Sequence, residues 1–443
     1  MLKFKIPTIF LSVLLSANTH AQTQAQVQTQ VQAQVQRVKM GTASSPADAE
    51  VRLSLVQRFQ HYNQKTDNPN DRFDTNINSP KSVNILDRRN KFYVHSLEGC
   101  LTAVYSLSDF QRLATIRHEF NQKNQQLFLE NSYFDYKFRT KKEQLNYFSG
   151  KPVESCFSHD GKYLWVTYYR RSYDRNAVDP SAVCIIDTEA DTIVRVMPTA
   201  PLPKMISCAP NNRTIAVTHW GDNTVALIDI SSDNPLEFKY LENIVIDYRL
   251  PLEFNGDTPV DRDNNCGHCL RGTTFTPNSE YVLVGKMGSN SVAVVDVKAQ
   301  KYTGSVFGMK SNMRHLIISN GYLYLSINNA GLVQKASLEN FIAHKQNNTK
   351  GDFNEWTTAA VGTGARTIAA SPDGQYIFAA VNNKSQVSVV RTSDMKVVAE
   401  CPADSYPVGM DISNSGEYLI VTSQGKPGGG GNSVMVFKVE YNN

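Results

Sequence analysis

Cys266-Gly267-His268-Cys269 has the letters of a dithiol redox site, where a helix start lowers the pKa of the first thiol and makes it nucleophilic. Here a strand follows instead, because Arg271-Gly272 leads into Thr273-Thr274-Phe275 and no helix is on hand to supply that effect. A local disulfide between Cys266 and Cys269 is therefore expected, with a metal-binding pair as the alternative. The histidine falls between the two cysteines and not after them, which excludes covalent haem attachment. Asp257, Asp261, Asp263 and His268 crowd the same loop, and His219 and His315 lie at the ends of repeat units. Ca or Zn is the ion such a loop would suit, yet a closed zinc site needs four ligands, and solvated carboxylates account for the acidic residues without one. No cofactor is expected.

A second set is scattered along the chain: Lys81, Lys204, Arg271, Arg314 and Arg366, with Glu154 and His315 in register beside them. Ammonium and guanidinium groups brought to one place would bind an anion, Arg through two parallel hydrogen bonds. Other chemistry lacks its residues. There is no Gly-x-Ser-x-Gly, no metalloprotease His pair and no phosphate-cradling loop, since Gly428-Gly429-Gly430-Gly431 sits between two strands with no helix after it. An aromatic, basic stretch with Tyr133, Phe134, Tyr136, Phe138, Tyr147 and Phe148 would serve equally as a partner surface or as a loop packing its own rings on the domain.

Internal repeats are what would gather the scattered residues. Ala365-Arg366-Thr367-Ile368-Ala369-Ala370-Ser371-Pro372-Asp373-Gly374-Gln375-Tyr376-Ile377-Phe378 and Pro407-Val408-Gly409-Met410-Asp411-Ile412-Ser413-Asn414-Ser415-Gly416-Glu417-Tyr418-Leu419-Ile420 are two copies of one phrase. Each reads as a strand, a polar turn and a second strand rich in aromatic and β-branched residues. A third strand follows, as in Asn290-Ser291-Val292-Ala293-Val294-Val295-Asp296, and a fourth returns, as in Lys396-Val397-Val398-Ala399-Glu400. Weaker copies begin at Pro80, Pro152, Pro203, Leu270 and Met313, which makes seven units. Four short antiparallel strands in about 40 to 45 residues is a propeller blade. The last copy stops after its third strand, and Val51-Arg52-Leu53-Ser54-Leu55-Val56 is available to supply the fourth. The expected fold is an all-β, seven-bladed β-propeller of four-stranded antiparallel blades, closed by that N-terminal strand, which removes an exposed sheet edge.

The Ser-Pro-Asp-Gly turn, the aromatic second strand and the Asn-Ser/Thr-Val start of the third resemble the YVTN-type β-propeller repeats of exported bacterial and archaeal proteins, over roughly residues 79 to 439. The resemblance implies a fold; propellers host binding, scaffolding and several chemistries on one frame. Aligning the copies puts Lys81, Val153, Lys204, Arg271, Arg314, Arg366 and Val408 in one column at the start of the innermost strands, which would ring one mouth of a central channel. The next column holds Ser82, Glu154, Met205, Gly272, His315, Thr367 and Gly409. Propeller lactonases are similar in fold and hold a cation in the channel by inward carboxylates and amides, and here that column offers one carboxylate. Ligand binding at the basic mouth, without catalysis, is thus the expected function, and metal-dependent lactone hydrolysis the alternative. Partners carrying the unpaired charge at Lys81, Lys204, Arg271, Arg314 and Arg366 include Glu154 and Asp411 within the chain, and an anionic small ligand or an envelope protein outside it.

Residues 1–21 read as a cleavable secretory leader: Lys3 and Lys5, a short apolar run from Ile6 to Leu15, then a small-residue exit at Ala21. The mature chain is expected in the periplasm or outside the cell, as a monomer. Residues 22–48 begin as Gln alternating with Ala, Val and Thr and read as a flexible tether to a propeller over 49–443, with an insertion near 118–151. Net charge falls from +4 to +2 when Lys3 and Lys5 leave with the leader, which does not suit a nucleic-acid partner. No apolar run approaches the roughly 20 residues of a spanning helix. Seven cysteines in an oxidising compartment leave at least one thiol unpaired.

Overall fold

The computed structural model describes residues 36–129, 141–251, 260–425 and 432–442. Runs such as Val292-Ala293-Val294-Val295 and Ile377-Phe378-Ala379-Ala380-Val381 are buried throughout. Successive side chains of a strand point to opposite faces, so such a run needs cover on both. A ring of blades standing side by side provides it.

The first blade comprises β3 (Pro80–Leu86), β4 (Lys91–Ser96), β5 (Leu101–Ser106) and β6 (Arg112–Arg117). The second has β8 (Phe148–Ser158), β9 (Tyr163–Arg171), β10 (Ser181–Asp187) and β11 (Thr192–Thr199), with the short β7 (Glu119–Phe120) added beside β8. Blade three is β12 (Pro203–Cys208) to β15 (Lys239–Val245), and blade four β16 (Leu270–Phe275) to β19 (Lys301–Phe307). Blade five runs from β20 (Met313–Ser319) to β23 (Thr357–Ala360), with helix α1 (Leu338–Gln346) before its last strand, and blade six from β24 (Ala365–Ala370) to β27 (Lys396–Pro402). In blade seven, β28 (Pro407–Ile412), β29 (Tyr418–Ser423) and β30 (Ser433–Tyr441) are completed by β1 (Val51–Gln60), antiparallel to β30 with Leu53 opposite Val439. The closing strand is longer than the six residues expected and carries β2 (Asp71–Phe73) on its outer side. Six of the seven inner strands start at the residue the repeats identify; β8 alone begins earlier.

In three blades the turn between first and second strands is held by its own hydroxyl. Ser371 Oγ accepts from the Tyr376 amide at 2.9 Å, and Ser413 and Thr276 do the same for Tyr418 and Tyr281 at 3.0 Å. Gly374 in the best copy has φ +69°, and a Cβ there would meet Asn320 Nδ2 at 2.2 Å, so both conformation and space demand glycine.

The core is divided among seven apolar clusters, one in each gap between neighbouring blades. This is how a chain longer than the usual single-core limit of about 250 to 300 residues avoids needing one large interior. Residues 36–48, assigned to the tether by composition, lie along the last two blades: Gln36 Nε2 donates to the carbonyls of Ser385 and Ala403, and Ser45 and Glu400 exchange backbone hydrogen bonds at 2.9 Å. No helix among the described residues is long and apolar enough to cross a membrane.

Candidate functional site

All seven inner strands run in the same sense around the channel, so their first residues lie at one end. Between the first residue and the third or fourth, the pairing of each inner strand with its neighbour slips by a residue. A bulge re-aims a side chain that regular pleating would send into the blade. The position it affects is that of Lys81, Val153, Lys204, Arg271, Arg314, Arg366 and Val408.

The five basic side chains of that column gather. Lys81, Lys204, Arg271 and Arg366 are buried, with 8, 8, 5 and 9% of their surface exposed. Burial and the Arg366 and Arg271 guanidiniums lower the Lys81 ammonium well below its usual range; burial, Arg271, Arg366, Arg170 and Arg314 do the same to Lys204. Burial and mutual repulsion also weaken the hold of Arg271 and Arg314 on their protons. Two carboxylates stand against them. Glu154 Oε1 is 4.0 Å from Arg271 Nη2, and burial raises its pKa against the pull of Lys81, Arg271, Arg366 and Lys204. Asp263, raised to about 6 by burial, lies 3.8 Å from Lys204 Nζ and accepts from Arg170 Nη2 at 2.5 Å.

Aromatic rings frame the ring of charge. Lys204 Nζ sits 3.8 Å from the centre of the Tyr169 ring and 4.8 Å from that of Trp220, and Arg366 approaches the Tyr406 ring at 5.8 Å. Cys266 and Cys269 are disulfide-bonded and pack with Ala177, Leu202 and Trp220. The staple therefore fixes the loop that carries Asp263. Five cysteines are free thiols: Cys100, Cys156, Cys184, Cys208 and Cys401.

Below the basic end the channel widens into a cavity of about 440 Å³ lined by Ser82, Glu154, Met205, His315, Thr367 and Asp411 among others. His315 accepts from the Ile368 amide through Nδ1 at 3.3 Å, which puts the proton of its neutral ring on Nε2, and burial and Arg271 hold its pKa near 4. Asp411 does not compensate the basic side chains as the sequence suggested. It lies further along its strand and accepts from the amides of Ile85 and Ile412 at 2.8 and 2.9 Å, with burial pushing it to about 7.

The metal ligands weighed above are dispersed. His268 reaches Asp247 at 3.0 Å and Ser289 at 2.6 Å, Asp261 bonds Asp263 and Asn264 of its own turn, and His219 bonds Thr224. Asp257 lies outside the described residues, as do Tyr133, Phe134, Tyr136 and Phe138. Among the described residues no three His, Cys, Asp or Glu side chains come close enough to share an ion. A channel cation of the kind held by propeller lactonases does not fit at Glu154 in particular, because the guanidiniums of Arg271 and Arg366 would repel it.

Tyr169 and Arg170 lie near the end of β9, Trp220 follows the second strand of blade three and Tyr406 precedes β28, so all four fall outside the column of inner-strand positions that the repeats align. The one signal available was the rarity of tryptophan, of which Trp220, directly after His219, is one of three in the chain.

Among solved structures, this chain is similar to Kuenenia stuttgartiensis hydrazine synthase, at 12% identity and TM-score 0.56, covering 86% of this chain and 100% of that one. It is also similar to the Cps50 (Swd1) β-propeller domain of Myceliophteria thermophila, at 11% identity and TM-score 0.55, covering 82% of this chain and 97% of that one. A chain of the mitotic checkpoint complex matches at 13% identity and TM-score 0.54, over 84% and 89%. At such identities the likeness is one of fold alone. No curated protein sequence gives a significant match. The family model described as "Lactonase, 7-bladed beta-propeller" matches residues 181–442, which is more than half of the chain, and the chain therefore belongs to that family.

Proposed function

We propose that this propeller binds a small anionic ligand at the basic end of its channel. The observation that carries the reading is the convergence of Lys81, Lys204, Arg271, Arg314 and Arg366, joined by Arg170, against the carboxylates of Glu154 and Asp263. Uncompensated charge in a partly desolvated site costs several kcal/mol, and an anion offsets it. The leader-like sequence of residues 1–21 supports export. Calorimetric titration with inorganic phosphate and with a sugar carboxylate tests the reading; no binding of either at low salt would overturn it.

Family membership favours a second reading, hydrolysis of an anionic lactone without a metal. In it the basic side chains hold the substrate, and Glu154 takes a proton from a water that attacks the lactone carbonyl. Arg271 then stabilises the oxyanion, and the ring C–O bond breaks to leave a hydroxy acid. Acid release from a simple lactone, unaffected by EDTA and lost in Glu154→Gln, is the outcome that would select it over binding alone.

A further inference from the structure

Lys81 differs from the other four members of the basic column in its surroundings. Its strand β3 stands between those of the second and seventh blades, whose residues in the same column are Val153 and Val408, each 2% exposed. The amine thus has apolar neighbours on either side and cations beyond them: Arg366, Arg271 and Lys204, with Glu154 the one carboxylate in reach. Lys204, by comparison, has Asp263 and two aromatic faces. No hydrogen bond or ion pair of Lys81 Nζ is formed with any described residue. An amine so placed is disfavoured as an ammonium and keeps its lone pair, which is the condition for a nucleophilic lysine.

We propose that Lys81 is a reactive amine that takes an anionic carbonyl compound, an aldehyde or 2-oxo acid bearing a carboxylate or phosphate, as a reversible imine. The proposal rests on the anion-binding reading: Arg271, Arg314 and Arg366 hold the anionic group while the carbonyl carbon meets Nζ. The lone pair of Nζ forms the new C–N bond and the carbonyl π pair moves to oxygen. Nitrogen gives one proton to that oxygen to form the carbinolamine hydroxyl and a second as the hydroxyl leaves as water, and C=N remains. Glu154, whose pKa is raised by burial, is placed to shuttle that proton.

The test uses the full chain and glyoxylate as probe, with cyanoborohydride supplying the hydride that reduces the C=N to a stable secondary amine. Peptide mass spectrometry then reads which lysine carries the added mass. The expected result is one equivalent on Lys81, formed on the order of tenfold or more faster than on a surface lysine such as Lys298 and slowed by inorganic phosphate. Lys81→Arg should lose this adduct, whereas Lys298→Arg, on the surface, should leave the adduct, phosphate binding and the melting temperature unchanged. Labelling spread over surface lysines with Lys81 unmodified overturns the proposal. Phosphate binding measured on the same preparation separates the two failures: if it persists, the anion site stands without a reactive amine; if it is absent too, both readings fall.

Discussion

Nη2 of Arg271 lies 4.0 Å from Oε1 of Glu154, so a guanidinium of the fourth blade meets a carboxylate of the second across the channel. Glu154 competes with any anion for this charge. Glu154→Gln should tighten inorganic phosphate by on the order of threefold to tenfold and steepen its salt dependence, at some expense in melting temperature. Weaker binding in this variant would mean that Glu154 touches the ligand as a partner instead of occupying its place.

Replacing Arg271, Arg314 and Arg366 with Gln, singly and then together, should weaken phosphate binding stepwise and flatten the salt dependence with each charge removed. Loss of two bidentate donors is expected to cost at least tenfold. Unchanged affinity alongside a marked fall in thermal stability would assign the column to the fold.

The Cys266–Cys269 staple closes a very short loop, so its worth to global stability is about 2 kcal/mol by loop entropy. Its larger effect should be local. Cys266→Ser with Cys269→Ser is expected to leave the melting temperature within a few degrees and to speed amide exchange across residues 260–269, with anion binding weakened as Asp263 and its loop loosen. Thiol labelling of the denatured, unreduced chain should modify the five free cysteines and spare these two. Reduction of insulin by the native protein would show that the pair is a redox site after all.

Ring closure depends on a carboxylate with no exposed surface. Asp404 accepts from the Val38 amide at 2.8 Å, Tyr62 at 3.0 Å and Ser433 at 2.7 Å, and pairs with Arg58 at 3.3 Å, which also grips Asp71. Asp404→Ala leaves these donors without that acceptor and should cost about 3 to 5 kcal/mol. Deleting residues 36–60 exposes the edge of β30, and the chain should then aggregate. A soluble, normally melting deletion would show that the β1–β30 pairing is dispensable.

His95, His118 and His219 are held to about 3 and His315 to about 4, each chiefly by burial. In the unfolded chain they protonate near 6.5. Between pH 6.5 and 3 the unfolded state therefore binds more protons, and stability must fall with pH across that window. At up to about 1.4 kcal/mol per pH unit for each histidine, unfolding well above pH 3 is expected. A melting temperature that stays flat from pH 7 to pH 4 would contradict the neutral, buried rings.

Local pattern carried the fold. Alternating strands, hydroxyl-bearing turns such as Ser371 to Gly374, and a last unit short of one strand are periodic in sequence, and periodicity needs no knowledge of distant contacts. It also aligned Lys81, Lys204, Arg271, Arg314 and Arg366, because a propeller's symmetry carries equal positions of its repeats to one place. Other features depended on the ring being closed. The slip in every inner strand turns the basic side chains inward, Asp411 satisfies itself on the amides of Ile85 and Ile412, and Tyr169 arrives from β9 and Trp220 and Tyr406 from connections between strands. Burial decided the rest: whether an ammonium at Lys81 or an imidazole at His315 keeps its proton is set by how much water and which charges remain around it, and those come from blades hundreds of residues apart in the chain.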